Sequence, residues 1–490
     1  MTAIASGVIG GGENTGVGEA QEQRLALTAA AVARAMDGRL ERGPAGRRVD
    51  GVSIDSRTLA RGDLFVAIRG DRFDGHEYVD AAMAAGAMGA VVAGTAAAPA
   101  TRWPADTVLV RVDDTIRALQ ALARHVRRAS GSQVVAITGS TGKTTTKEVT
   151  AAFLGLRFRV LRSSGNLNNH IGLPLSLLHL CARPDVAVVE LGMNHAGEIR
   201  TLVSVAEPDV RVWTNVAEVH VAFFASLDAI ADAKAEVMEG AGPASVLVAN
   251  ADDPLVMARA RRFAGTVRTF GLHPSADVRA TGVEDLGLDG TAATLRTRAG
   301  TTSLHTPLLG RGNLANVLAA ATVALHYEVP LDAIAAEAAA LHPTLHRGEV
   351  LRLAGGLTLV DDSYNSNPRA LGNVLEVIKR EARCGRRVAV LGEMLELGAQ
   401  ALSLHEACGR AAAAAGLAAL VTVGGDAARA LGSAAVGAGL TPSAVWHATT
   451  SEEAAEKALA IVRPGDLVLV KGSRGIRTEV VVARLAGEFS

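Results

Sequence analysis

Short apolar runs punctuate this chain, separated by longer stretches whose apolar residues recur at helical spacing. Beyond residue 133 the runs fall at 134–138, 186–191, 210–216, 245–249 and 267–271. Each has the length of a strand, and their largely apolar composition reads as burial on both faces. Such alternation predicts a mainly parallel sheet with helices on both sides. Residues 278–308 read as a smaller β section, followed by a long helix from Asn313 to Tyr327. A second alternation opens near His346, with strands Leu357–Val360, Arg387–Leu391, Leu420–Val423 and Leu467–Val470 and helices near 368–382, 402–415, 426–434 and 451–462. It predicts a doubly wound, Rossmann-like sheet. Its Gly424-Gly425 pair is a weak match to a nucleotide fingerprint, and topology alone does not make it a dehydrogenase.

Ahead of residue 133 the pattern is less regular. Leu25 to Met36 reads as a helix, Val52–Arg57 and Asp63–Ile68 as strands, and Arg117 to Arg128 as a further helix. The Ser130-Gly131-Ser132 turn marks a domain boundary. The run from Ala81 to Thr101 carries no charge, yet it lacks Leu, Ile and Phe and holds three glycines. That is too weakly apolar for a membrane span; it reads as a packed helix followed by the strand Gly89–Val92. The first residues carry scattered glycines and no basic start before an apolar block, so 1–22 is expected to be a disordered tail and not a signal peptide. A chain of 490 residues exceeds one core. The expectation is an α/β protein of three domains, a smaller α/β domain over 23–130, a central one over 131–345 and a C-terminal one over 346–490.

Composition narrows the partners. Lys+Arg 49 against Asp+Glu 50 leaves the chain nearly neutral, with no basic stripe for nucleic acid and no polybasic patch for lipid. Cys181, Cys384 and Cys408 have neither metal-site spacing nor a disulfide framework, which fits a reducing cytoplasm.

The chemistry centres on Thr138-Gly139-Ser140-Thr141-Gly142-Lys143-Thr144-Thr145, between a strand and a helix. Glycines let backbone N–H groups close on phosphate oxygens, and a helix N-terminus adds partial positive charge. Lys143 can reach the outer phosphates and the Thr144 hydroxyl can ligate Mg²⁺. Ile137 stands where the general pattern has its first glycine, so this is a shorter form of the loop. Glu190 closes the strand 186–191, at the edge where open α/β sheets bind ligands; it reads as a Mg²⁺ ligand or a solvated strand-end acid. His220 follows the strand 210–216. Lys234 lies with Leu227, Ile230, Val237 and Met238 on the apolar face of a helix from Ser226 to Glu239. There desolvation favours the neutral amine, which can take up CO₂ as a carbamate; a snorkelling lysine is the plainer reading. In the third region, Arg347 could reach a γ-phosphate, and Asp361-Asp362 close a strand. Lys471-Gly472-Ser473-Arg474-Gly475 brings cations to the same kind of edge.

Together, DSRTLARGDLFVAIRGDRFDGHEYVDAA, ITGSTGKTTTKE, NLNNHIGLPLSLL, ELGMNHAGEI, NVAEVHVAFFASLDAIADAKAE, GRGNLANVLAA, HRGEV, VDDSYNSNP, LGEMLELG and VKGSRG resemble the Mur ligase family, from about Leu25 to the C-terminus. DDSYNSNP with KGSRG is similar to the branch that joins D-alanyl-D-alanine to UDP-N-acetylmuramoyl-tripeptide. The resemblance implies an N-terminal UDP-substrate domain, a central P-loop-type ATPase domain and a C-terminal Rossmann-like domain. It implies ATP on residues 139–145, one Mg²⁺ on Thr144 and Glu190, and a second Mg²⁺ on His220 and carbamylated Lys234. Asn313 is then expected near adenine, with Arg347 and Asp362 completing the nucleotide site. Asp55, Ser56 and Arg57 fall at the uridine end, and Asn166 and Asn168 near the reacting carboxylate. Ala225 stands where a glycine is common. A cytoplasmic monomer is expected, without nucleic acid or membrane insertion. The alternatives are another Mur-type amino-acid ligase or, from a different class, a P-loop ATPase that makes no bond.

Overall fold

The structure is a computed structural model and describes Leu25 and residues 27–70, 73–94, 103–165, 167–218 and 223–490. The expected tail, Asn166 and His220 lie outside the described residues, as does the end of the uncharged run. Among the described residues no helix is long and apolar enough to cross a membrane. Contacts divide the chain into two units, the first of residues 1–136, 158–193 and 197–209, the second of 137–157, 194–196 and 210–490.

In the first unit, a five-stranded sheet runs in the order Arg39–Arg42, Val108–Val112, Gly89–Ala93, Asp63–Val66, Gly51–Ser53. All neighbours are parallel except the first pair. Phe65, Ala90, Val92, Leu109 and Trp103 form its core with Val79 and Ala82 of the helix Val79–Ala84. Two expectations are corrected here. The first helix spans Ala29–Ala35, not Leu25–Met36, because the Thr28 hydroxyl caps it and Leu27–Thr28 pair with Arg48–Val49. The strand expected over Val52–Arg57 ends at Ser53, because the Asp55 carboxylate accepts from the Arg57 N–H at 2.9 Å and turns the chain. The same unit holds the parallel pair Val160–Arg162 and Val186–Glu190 and the helix Thr115–Ser130, capped by Asp114.

In the second unit the strands Val210–Trp213, Val246–Asn250, Thr266–Gly271 and Val278–Asp285 are parallel neighbours. Thr291–Thr297 and Gly300–Thr306 extend them antiparallel, the β section read from the sequence. The long helix spans Gly310–His326.

A six-stranded sheet follows in the order Glu349–Arg352, Thr358–Asp362, Leu467–Lys471, Arg387–Gly392, Ala419–Val423, Val445–Ala448, parallel beyond its first pair. Its inner strands are largely apolar because successive residues feed two cores. Ala389, Leu391, Leu420, Leu467 and Leu469 pack with the helices Pro368–Arg380, Ala401–Ala414 and Asp426–Gly437. Val388, Val390, Val421, Val468 and Val470 pack with Ser451–Ile461 and Glu479–Glu488.

Candidate active site

The helix Lys143–Gly155 begins immediately after the glycine-rich loop. Its N-cap, Gly142, has φ +80° and offers no side chain to the first-turn N–H groups. A Cβ at Gly142 would run into the Asn316 amide, and one at Gly139 into the Thr214 hydroxyl. Glycine is therefore required at both positions for close approach, the property a phosphate cradle needs.

The loop is braced from the segment after the strand Val210–Trp213. Thr214 Oγ1 and Asn215 Nδ2 donate to the Thr141 carbonyl at 2.8 and 3.1 Å. Asn215 Oδ1 accepts from the Thr141 N–H at 3.0 Å. Ser140 Oγ donates to the Ala217 carbonyl and accepts from its N–H, at 3.2 and 2.9 Å. That bracing segment is itself held by Asn250, which donates to the Thr214 carbonyl at 2.8 Å. Asp253 accepts from the Val216 N–H at 2.8 Å, and Arg369 donates to the Val216 carbonyl at 3.1 Å.

Two lysines converge on one acceptor. Lys143 Nζ and Lys234 Nζ donate to the Gly139 carbonyl at 3.0 and 3.1 Å. Lys234 is 2% exposed. Burial, and then the charge of Lys143, push its amine well below the ordinary 10.5. The helix carrying Lys234 is shorter than expected. It spans Leu227–Ala235 and tightens into a 3₁₀ turn over Glu236–Met238.

Asn313 and Thr146 are linked through Asn316. Asn316 Nδ2 donates to Asn313 Oδ1 at 3.0 Å, and its Oδ1 accepts from Thr146 Oγ1 at 3.2 Å. Asn313 Nδ2 donates to the Leu309 carbonyl at 3.0 Å.

In the six-stranded sheet, Asp362 and Lys471 sit opposite each other at the ends of adjacent parallel strands. That register puts both side chains on one face, and Lys471 Nζ reaches Asp362 Oδ2 at 2.6 Å. Lys471 also donates to the Asn365 carbonyl at 2.9 Å. The Arg347 guanidinium lies over Tyr364, its Cζ 4.2 Å from the ring centroid, and Arg474 approaches the same ring at 5.5 Å. A cation over an aromatic face is held electrostatically while its N–H edge stays available.

In the first unit, Glu190 is buried at its strand end, and Asn168 Nδ2 donates to its Oε1 at 2.9 Å. Asp55 and Arg57 form an ion pair of 2.6 Å, and that hydrogen bond holds the Asp55 carboxyl below its ordinary range.

Residues 48–127 match the model described as Mur ligase family, catalytic domain, residues 137–324 the Mur ligase middle domain, and residues 346–474 the Mur ligase glutamate ligase domain. Relatives include the UDP-N-acetylmuramoyl-tripeptide–D-alanyl-D-alanine ligase of Bacillus subtilis, 32% identical over 445 residues, covering 89% of this chain and 93% of the relative. That of Escherichia coli is 37% identical over 450 residues, covering 89% and 94%. The chain belongs to the Mur ligase family. Among solved structures, MurF of Acinetobacter baumannii matches with a TM-score of 0.83 at 29% identity, over 94% of this chain and 98% of that one. The MurF ligase of Thermotoga maritima, solved in complex with ADP, matches with a TM-score of 0.78 at 27% identity, over 90% and 98%.

Within this Mur ligase, sequence reasoning singled out Gly139, Gly142, Lys143 and Lys234; the fold brings both lysines onto the Gly139 carbonyl and packs Gly142 against Asn316. Ser140 and Thr141 are part of the braced loop; Thr144 and Thr145 lie in the helix's first turn. The braces Thr214, Asn215, Asn316 and Arg369 were missed as functional residues, and so was Tyr364 beneath Arg347. One signal was available for Asn316: it follows Asn313 by three, the spacing that puts two polar residues on one helix face.

Proposed function

We propose that the chain is an ATP-dependent, ADP-forming ligase that joins D-alanyl-D-alanine to UDP-N-acetylmuramoyl-tripeptide in peptidoglycan precursor synthesis. The observation that carries this reading is a phosphate-loop helix with two lysines on one loop carbonyl, in a chain similar along about nine-tenths of its length to ligases of that specificity. A carboxylate is a poor electrophile and must be activated before an amine can displace an oxygen from it. The tripeptide's terminal carboxylate attacks the γ-phosphorus of ATP, the β–γ bond breaks, and ADP leaves from an acyl phosphate. The amine of D-alanyl-D-alanine adds to the acyl carbon, loses a proton, and the tetrahedral adduct expels phosphate.

Residues 139–145 would cradle the phosphates, with Lys143 and Arg347 offsetting charge as two anions meet. Asn313 and Asp362 would serve the nucleoside end, Asp55, Ser56 and Arg57 the uridine end, and Asn166 and Asn168 the reacting carboxylate. The residues at hand suit Mg²⁺, since Thr144 and Glu190 each bring a hard oxygen. Lys234 becomes an oxygen donor on taking up CO₂ as a carbamate with loss of one proton, for which its buried neutral amine is prepared; His220 would join it at a second ion. Mg²⁺, when bound, supplies electrostatic stabilisation of the transferring phosphoryl group. Arg347 comes from the domain proposed over 346–490 and the loop from that over 131–345. Its role therefore belongs to a closed state that excludes water from the acyl phosphate. We place the reaction in the cytoplasm, where ATP is available, with one chain as the working unit.

A phosphate-release assay with UDP-peptides carrying diaminopimelate or lysine at the third position, crossed with D-alanyl-D-alanine, D-alanine and L-alanyl-L-alanine, tests the assignment. Phosphate release is expected only with both a UDP-tripeptide and D-alanyl-D-alanine. Equal hydrolysis without any UDP-peptide would instead make the chain an ATPase that forms no bond.

A further inference from the structure

We propose that His346 is a positioning residue for Arg347: clamped on buried Asp361, it holds the left-handed turn from which the Arg347 guanidinium is presented. The proposal rests on the reading of Arg347 given above. His346 is not a glycine, yet its φ is +63°, a region where the Cβ crowds the backbone and where most residues stay only if something holds them. Here the holder is Asp361, whose Oδ2 lies 2.6 Å from His346 Nδ1.

Asp361 is 1% exposed, and a buried carboxylate needs donors on its lone pairs. Ser363 supplies two to Oδ1, its N–H at 3.1 Å and its hydroxyl at 2.6 Å. The His346 Nδ1–H serves Oδ2. Backbone bonds lace the same two turns together. Gly348 N–H donates to the Asp361 carbonyl at 2.8 Å, Tyr364 N–H to the His346 carbonyl at 3.1 Å, and Arg347 N–H to the Thr344 carbonyl at 2.9 Å. Arg347 then lies over the ring of Tyr364. The adjacent acids divide the work by strand alternation. Asp361 points inward to the histidine, and Asp362 meets Lys471 on the opposite face. His346 precedes the strand Glu349–Arg352 and Asp361 lies in its antiparallel partner Thr358–Asp362, so the clamp joins two motifs that the sequence presents separately.

The test compares His346→Ala, His346→Asn, Arg347→Ala and the double variant His346→Ala/Arg347→Ala in the full-length enzyme. Phosphate release gives kcat and KM, and thermal melting reports folding. Asparagine tolerates the left-handed region, and its amide can donate to Asp361. Misplacing a catalytic group by an ångström costs on the order of 10²-fold. His346→Ala is therefore expected to lower kcat by ~10- to 100-fold, with each KM within about threefold of wild type. His346→Asn should stay within about threefold of wild-type kcat, and the double variant should be no slower than Arg347→Ala alone. If His346→Asn is as slow as His346→Ala, the imidazole itself moves a proton and the positioning role is overturned. Wild-type kcat in His346→Ala, or losses that multiply in the double variant, overturn it too. Wild-type turnover in Arg347→Ala removes the Arg347 assignment and this proposal with it; a crippled Arg347→Ala with multiplying losses removes this proposal alone. Should His346→Ala fail to fold, Asp361→Asn replaces it. It weakens the same clamp and should lower kcat without compounding Arg347→Ala; wild-type kcat there overturns the proposal.

Discussion

Lys234 and Lys143 show how one side chain sets the chemistry of another. Two ammonium groups on a single carbonyl oxygen repel each other strongly where water is excluded. The arrangement at Gly139 is eased if one amine gives up its proton, and burial together with the charge of Lys143 favours that loss at Lys234. A neutral amine is a nucleophile toward CO₂; a guanidinium is not, and stays cationic. Lys234→Arg is thus expected to lose at least ~10²-fold in turnover, the scale of a lost electrostatic contact in a site of this kind. Lys234→Ala should fall as far and recover partly when formate or acetate is supplied in solution. An active Lys234→Arg would make Lys234 a packing residue. Lys143 is half-buried on the loop side of its helix, so Lys143→Ala should leave the thermal midpoint within about 2 °C while turnover drops by ~10²- to 10³-fold. Turnover within tenfold of wild type would remove the ATP-site assignment.

At the scale of elements, the phosphate loop is shaped by a helix from the other side. Asn316 of Gly310–His326 occupies the space a Cβ on residue 142 would take, its Cγ 2.9 Å from that point, and it is anchored to Thr146 and Asn313. Gly142→Ala must therefore shift Asn316 as well as bear a positive φ. It is expected to cost about 1–3 kcal/mol of stability and at least ~tenfold in kcat/KM for ATP. Gly142→Ala combined with Asn316→Ala should regain stability but not the ATP kinetics; an unchanged kcat/KM in the single variant would show that the loop does not need this approach. The strand Gln133–Thr138, the glycine turn and the helix Lys143–Gly155 were legible because each has a local signature: an apolar run, a positive-φ requirement, a helical stripe. Lys234 was legible because lysine is out of place on such a stripe. Arg39–Arg42, Glu349–Arg352 and Val445–Ala448 were not, because edge strands face solvent on one side and carry polar residues there. Asn215 and Arg369 read as ordinary turn and helix-surface residues until the fold brings them to the loop. The Gly424-Gly425 turn shows the converse. Its Gly425 N–H is taken by the chain's own Glu393 carboxylate at 2.5 Å, so the fingerprint-like glycines serve an internal turn.

At the scale of the molecule, one carboxylate that joins two parts of the second unit contributes to how stability changes in acid. Glu381 lies just past the helix Pro368–Arg380 and is nearly fully buried. Its Oε2 accepts from the Leu288 N–H at 3.2 Å and from Arg383 Nη2 at 2.9 Å. Its Oε1 accepts from the Arg383 N–H and Nε, both at 2.9 Å. Arg383 also pairs with Asp289 at 2.6 Å, and Arg380 with Asp285 at 3.2 Å. The β section is in this way tied to the end of that helix. The Arg383 hydrogen bond above all, with the two N–H groups and against the cost of burial, holds the Glu381 carboxyl down at about 2 from an ordinary 4.5. The folded value lies below the unfolded one, so on acidification the unfolded chain binds the proton first. The stabilisation is complete above about 4.5 and disappears as pH falls from there through about 2. Glu381→Gln keeps the shape and removes the charge. It should lower stability at pH 7 by about 1–3 kcal/mol, the scale of hydrogen bonds to a charged group, and flatten the decline between pH 4.5 and 2. Chemical denaturation of the full-length protein and the variant across that range reads both effects. Curves that stay parallel down to pH 2 would mean that Glu381 is not the group whose protonation loosens this junction.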